Sequence, residues 1–177
     1  MPQCLSNLPS CSIQTASILL GRSERTLQRW CEDGTLRVVG NDLRKSQRKL
    51  IDLTQILQMF GPCPEPDLAE ILGAADNGDA TAQNDLGTLL LRQGKAGAAV
   101  SFFEEAARRN NPDAMHWLYH CNMNAIGVER NENLALMWLS KAAGEGHVIA
   151  KAQAEALRTM ALRGLQVSGP SGPPLQP

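Results

Sequence analysis

Three alanine pairs recur along the second half of the chain at nearly constant spacing: Ala74-Ala75, Ala106-Ala107 and Ala142-Ala143 lie 32 and 36 residues apart. Their surroundings recur too. Phe102 precedes Ala106 and Trp138 precedes Ala142 by one helical turn, and Ala114 is echoed by Ala150. Small residues where two helices approach, with a bulky one between them, is the packing of stacked helix pairs, in which each unit covers its neighbour's apolar face. The spacing predicts α-α helical repeats over residues 67–163, as two units and a partial third. In the first unit the connection is shorter by four residues, so Gln93-Gly94-Lys95 turns tightly.

Upstream of the repeats, Gly61-Pro62-Cys63-Pro64-Glu65-Pro66 places three prolines in five positions. Proline removes a backbone donor and pushes its predecessor out of helical geometry, so residues 62–66 read as a linker. Downstream, residues 164–177 hold Ser168-Gly169-Pro170-Ser171-Gly172-Pro173-Pro174 and have little to bury, which predicts a disordered tail. Residues 1–11 are left as an N-terminal arm.

Residues 12–61 have a different rhythm. A short apolar helix over Thr15–Leu20 stops at Gly21, and Ser23 can cap a second helix running to Glu32. On that helix Leu27 and Trp30 share one face, and the others carry Arg22, Arg25, Gln28 and Arg29. Leu36–Val39 then reads as a strand, Gly40-Asn41 as a turn, Lys49–Asp52 as the returning strand, and Leu53–Phe60 as a last helix. Helix, turn, helix, hairpin, helix is the outline of a winged helix-turn-helix. The fold class expected for the chain is therefore mainly α, a small winged helix-turn-helix domain followed by helical repeats.

The run Ser23-Glu24-Arg25-Thr26-Leu27-Gln28-Arg29-Trp30 with Gly34-Thr35-Leu36 resembles the DNA-binding domain of MerR-type regulators and the related excisionase domains. Gln28 stands where MerR proteins usually carry arginine, and no long coiled-coil helix follows. The segment Gly127-Val128, with Leu134-Ala135-Leu136-Met137-Trp138-Leu139-Ser140-Lys141-Ala142-Ala143-Gly144-Glu145-Gly146-His147, resembles Sel1-like repeats, relatives of the tetratricopeptide repeat. The first resemblance implies binding to double-stranded DNA and the second a protein-interaction array. The joint plan is also similar to bacterial regulators of swarming motility and biofilm formation that couple a helix-turn-helix to tetratricopeptide-like repeats.

Charge follows the same division. Residues 1–62 hold eight Lys or Arg against five acids, a net of +3, whereas the remainder nets −4. A local positive field next to an acidic partner domain suits an anion-binding module. Arg22, Ser23, Arg25, Gln28 and Arg29 are the residues expected to meet bases or phosphates, with Arg44, Lys45, Arg48 and Lys49 of the hairpin on the DNA backbone. Thr15 and Ser23 stand at helix starts, where a hydroxyl serves either as a cap or as a phosphate ligand.

The expected function is sequence-specific DNA binding in transcription regulation. A homodimer or a protein partner is expected through the repeats, with a seam around Trp138 and Ala150 on the last, incomplete unit. A protein-interaction adaptor and an excisionase-like architectural factor are the alternatives. His116 and His120 share a helix face, but no zinc signature accompanies them, and His147 falls where the Sel1 pattern carries a structural histidine. Five scattered cysteines without a CxxC pair argue against disulfides and zinc; Cys31 and Cys121 are the thiols weighed as redox sensors. No phosphate loop or nucleophile elbow occurs, so neither an enzyme nor a cofactor is expected. No apolar run is long enough to span a bilayer, and no basic leader opens the chain, which predicts a cytoplasmic protein.

Overall fold

Ser12 and Ser23 each sit in extended backbone and accept a hydrogen bond on the hydroxyl from an amide three residues ahead, Thr15 and Thr26, both at 3.2 Å. Each serine thereby satisfies a free N–H at a helix start and opens a helix, α1 at Ile13–Leu20 and α2 at Glu24–Glu32. Gly21, at φ +61°, ends α1 in the left-handed conformation and turns the chain into α2. The computed structural model describes residues 10–42, 48–60 and 67–167.

Three strands complete the first part: β1 (Ser10–Ser12), β2 (Val38–Asp42) and β3 (Arg48–Asp52), followed by α3 (Leu53–Phe60). β3 lies in the middle, antiparallel to both neighbours, with Cys11 opposite Ile51 and Gly40 opposite Leu50. Cys11, Ala16, Leu27, Ile51, Leu53 and Ile56 are fully buried and form the core beneath the helices.

Three details differ from the sequence expectation. α1 begins two residues before Thr15 because Ser12 takes the cap. β2 does not turn at Gly40-Asn41; an irregularity between Val38 and Gly40 shifts the register, so pairing continues through Asp42. β1 has no strand signature in its three residues and exists because β3 offers it an edge. The linker 62–66 and the residues after 167 lie outside the described residues, but α9 itself runs through Gly164 to Val167, further than the expected start of the tail.

The second part is a stack of helices, each packed on the next: α4 (Leu68–Asp76), α5 (Ala80–Arg92), α6 (Ala96–Ala107), α7 (Pro112–Asn124), α8 (Glu132–Gly144) and α9 (Val148–Val167). Asp79, Asn111 and Asn131 cap α5, α7 and α8 with side-chain oxygens 2.9 to 3.0 Å from the receiving amides. The period read from the alanines is the period of the array: α5/α6 and α7/α8 are successive pairs, and Ala75, Ala106 and Ala142 are all buried. Gly87 lets the Phe103 ring lie on α5, since a Cβ there would sit 2.6 Å from the ring. Three residues join α5 to α6 and seven join α7 to α8, as expected. The longer loop folds back so that Gly127, at φ +72°, abuts the Ala96 carbonyl, 2.5 Å from where a Cβ would stand.

The two parts meet through specific groups. The Asp76 carboxylate at the end of α4 accepts hydrogen bonds from the Ser12 N–H (3.0 Å), the Ser12 hydroxyl and the Thr15 hydroxyl. On the other side of α1, Lys95 places its ammonium 3.2 Å above the Phe60 ring and donates to the Phe60 carbonyl.

Gly127 and Gly94 separate backbone strain from steric clash. Gly94 also has positive φ but faces open space, so Gly94→Ala is expected to lose about 1 kcal/mol of stability, from the left-handed conformation alone. Gly127→Ala adds a collision with backbone and is expected to lose about 3 kcal/mol or more, both read from urea-unfolding midpoints.

Candidate functional site

α2 is held by one side and displayed on the other. Leu27 is fully buried and Trp30 half-buried, and these two side chains fasten the helix to α1 and the corner after it. Arg25, Gln28 and Arg29 are exposed on the remaining surface, with Arg22 exposed in the preceding turn. Ser23 is also exposed, and its hydroxyl is engaged in the cap and in a 2.8 Å contact with the Thr26 hydroxyl.

The corner beyond α2 is closed by Asp33. Its carboxylate accepts from the Thr35 hydroxyl (2.6 Å) and the Thr35 N–H (3.0 Å), bonds that hold it below the usual carboxylate range, with Arg29 adding to the effect. Gly34, at φ +81°, permits the bend between them. Ser23, Arg25, Thr26, Arg29, Trp30 and Asp33 line a shallow hollow on this surface. Lys49 on β3 is exposed, and its positive charge acts on Cys31 of α2. Arg44 and Lys45 lie outside the described residues, as does the side chain of Arg48. Thr15 does not face outward: its hydroxyl is taken by Asp76.

In the repeats, Ala150 is fully buried within the chain and has no surface to offer a partner; in the first turn of α9, it is enclosed by the array itself. Trp138 is half-buried, with the Lys141 ammonium 4.8 Å from its ring. It lines a groove with Glu104, Arg108, Arg130 and Leu134. Exposed apolar side chains of the last unit are found elsewhere, at Val148, Ile149, Leu157, Met160 and Leu162 of α9.

The histidines form a cluster that single-helix spacing only half revealed. His116 and His120 of α7 are joined by His147 from the turn before α9, with ring centroids 4.2 Å (His116 to His147) and 4.6 Å (His116 to His120) apart. The nitrogens do not converge: His147 Nδ1 accepts from the Ala150 N–H at 3.0 Å, its Nε2 faces Asp113 at 3.4 Å, and His116 Nε2 donates to Gln153. Among the described residues no group of three His, Cys, Asp or Glu could hold a metal ion. The signal for the third histidine was available in the repeat offset, which brings the turn before α9 onto α7.

Among the described residues the thiols are not activated. Burial and the nearby carboxylates of Asp76 and Asp52 push Cys11 up to about 12, burial pushes Cys121 up to about 11, and burial outweighs Lys49 in raising Cys31. A raised thiol pKa lowers thiolate content at neutral pH.

Compared with known proteins, the chain matches no family model and no curated protein. Among solved structures it is similar to a Sel1 repeat protein from Oxalobacter formigenes, 25% identical over 60% of this chain, with a TM-score of 0.48; the chain spans 33% of that protein's length. No helix among the described residues is long and apolar enough to cross a membrane.

The histidine cluster sets a pH dependence. His120 is held below its ordinary pKa by burial and then by His116 and His147; His147 is lowered by burial and His116, with Asp113 opposing. Both therefore bind protons more readily in the unfolded chain, where histidine titrates near about 6.5. Stability is expected to be full above that pH and to fall as pH drops through the lower folded-state values. Urea midpoints between about pH 7.5 and 5.5 measure this, and His120→Gln should flatten the dependence.

Proposed function

We propose that this chain is a two-ended interaction protein, in which the helical repeats engage a protein and α2 engages double-stranded DNA, so that binding to one is brought to the other. The reading of the repeats rests on the array itself: stacked helix pairs present long, continuous surfaces, and interaction is what such surfaces supply. The resemblance of the repeats to Sel1-like arrays points the same way. The chain acts by binding rather than by catalysis, and it acts in the cytoplasm.

One observation carries the DNA reading, the capped and Leu27-anchored α2 whose free surface presents Arg25, Gln28 and Arg29 beside Arg22. A helix fastened on one side and lined with arginine and an amide on the other has the donors that major-groove edges and phosphates accept. Lys49, with Arg44, Lys45 and Arg48 of the hairpin sequence, adds cations for the DNA backbone. The resemblance of residues 13–60 to MerR-type domains supports the same assignment, and transcription regulation is the function it implies.

The test is electrophoretic or fluorescence binding to mixed genomic duplex at about 50 and 200 mM salt. The natural chain is expected to bind and to weaken with salt. Arg25→Glu combined with Arg29→Glu should weaken binding by more than tenfold while circular dichroism still reports a folded chain, with only a small drop in the thermal melt from the charge reversed at the end of α2. Equal binding by the variant, with the same salt slope, refutes the role given to α2. Absence of binding by the natural chain removes the DNA half and leaves the adaptor reading.

A further inference from the structure

Where the first part meets the repeats, the chain encloses a cavity of about 480 Å³. It is lined by Gln14 and Ile18 of α1, by Gly78 and Gln83 from the turn before α5 and from α5 itself, and by Glu105 and Arg109 of α6. Its size falls within the range of small-molecule sites, about 300 to 1,000 Å³. It shares no residue with the exposed surface of α2 or with the groove beside Trp138.

Three polar groups of this lining have no partner among the described residues. The Arg109 guanidinium makes neither an ion pair nor a hydrogen bond and lies against Gly78, where a Cβ would stand 2.6 Å from one of its nitrogens. Glu105 precedes it by one turn of α6, a spacing at which a glutamate and an arginine pair readily. Glu105 instead accepts from Arg108 through Oε1 at 2.7 Å, and its Oε2 accepts nothing. Gln83 is 5% exposed; its Nε2 donates to the Ala75 carbonyl at 3.0 Å, and its Oε1 is buried without a donor. Native folds rarely leave a buried acceptor in that state.

We infer that this cavity binds a small zwitterion of the amino-acid class, its carboxylate on Arg109 and its ammonium between Glu105 and Gln83. A guanidinium matches a carboxylate with two parallel hydrogen bonds. A carboxylate oxygen and an amide oxygen only accept, so the opposite end of the ligand must be rich in donors, as an ammonium is. Asp76 also lines the cavity, and its charge beside that of Glu105 opposes a second carboxylate or a phosphate. A ligand of one sign alone leaves either Arg109 or the acidic side unmatched. Ile18 and Phe102 supply apolar lining for the ligand's side chain. Because α1 and α6 both contribute, a molecule held here touches both parts of the chain and reinforces the junction made by Asp76.

The test is the thermal melt of the full chain with each of the natural L-amino acids, and with acetate and methylammonium as the two half-ligands, all at about 10 mM; a molecule that binds only the folded chain raises the melt. At least one amino acid is expected to raise it by more than about 2 °C, and neither half-ligand is. Arg109→Met should melt like the natural chain without ligand, because that side chain is exposed and without a partner, and should lose most of the rise. Glu105→Gln should lose much of it, whereas Arg130→Met, in the groove beside Trp138, should keep it whole. No rise with any amino acid overturns the inference, as does a rise that Arg109→Met retains or one that acetate alone reproduces. None of these readings involves duplex, so their failure is distinguishable from failure of the role given to α2.

Discussion

One carboxylate joins the two parts of this protein. Asp76, at the end of α4, takes the Ser12 N–H and the Ser12 and Thr15 hydroxyls at the start of α1. A helix start is where unpaired N–H groups and the helix dipole favour an anion, and Asp76 supplies one from the chain itself. The same serine holds β1 against β3 and caps α1, so strand, helix and repeat array converge on it. This decides what the first part can present. The start of α1 is already occupied by an internal anion, which leaves α2 as the helix free to meet an external one.

The repeats show how a sequence pattern can be kept while its purpose changes. Ala114 and Leu118 of α7 and Ala150 and Ala154 of α9 retain the small or apolar character that seats each helix on the preceding unit. The positions that look forward do not. Lys151 and Arg158 of α9 are exposed where their counterparts Met115 and Asn122 in α7 are buried, and the polar Asp113 and His116 give way to Ile149 and Ala152. Gly127 illustrates the same economy on a local scale: the seven-residue loop between α7 and α8 can close only because a residue without a side chain meets the Ala96 backbone.

Much of the architecture was legible because it rests on periodic patterns and on local chemistry. The alanine pairs gave the stacking of helix pairs, and Ser23 with Leu27 and Trp30 gave the displayed helix. Features that depend on distant partners were not legible. β1 is three residues long and is a strand only because β3 lies beside it; Ser10 to Ser12 contain nothing that distinguishes them from an arm. The extension of β2 through Gly40-Asn41, a pair that reads as a turn, follows from a register shift against β3. Ala150 illustrates the opposite error, since a small residue at the end of a repeat looks like free surface until the helix is seen folded back onto α7 and α8. The hydrogen bonds of Asp76 span more than sixty residues of sequence, and no spacing rule points to them.

The charges on α2 sort into two groups once its dipole is considered. Glu24 lies in the first turn, where a negative side chain complements the helix start, and Arg29 lies in the last, where a positive one complements its end. Asp33 is consumed by Thr35 in building the corner. Much of the acidity near this surface therefore serves the local fold, while Arg25 is not needed by the helix in this way and Gln28 has no structural duty in its exposed position. An arginine and an amide side chain left over after the helix has been satisfied, three residues apart on one open surface, are the residues whose presence the fold alone does not account for.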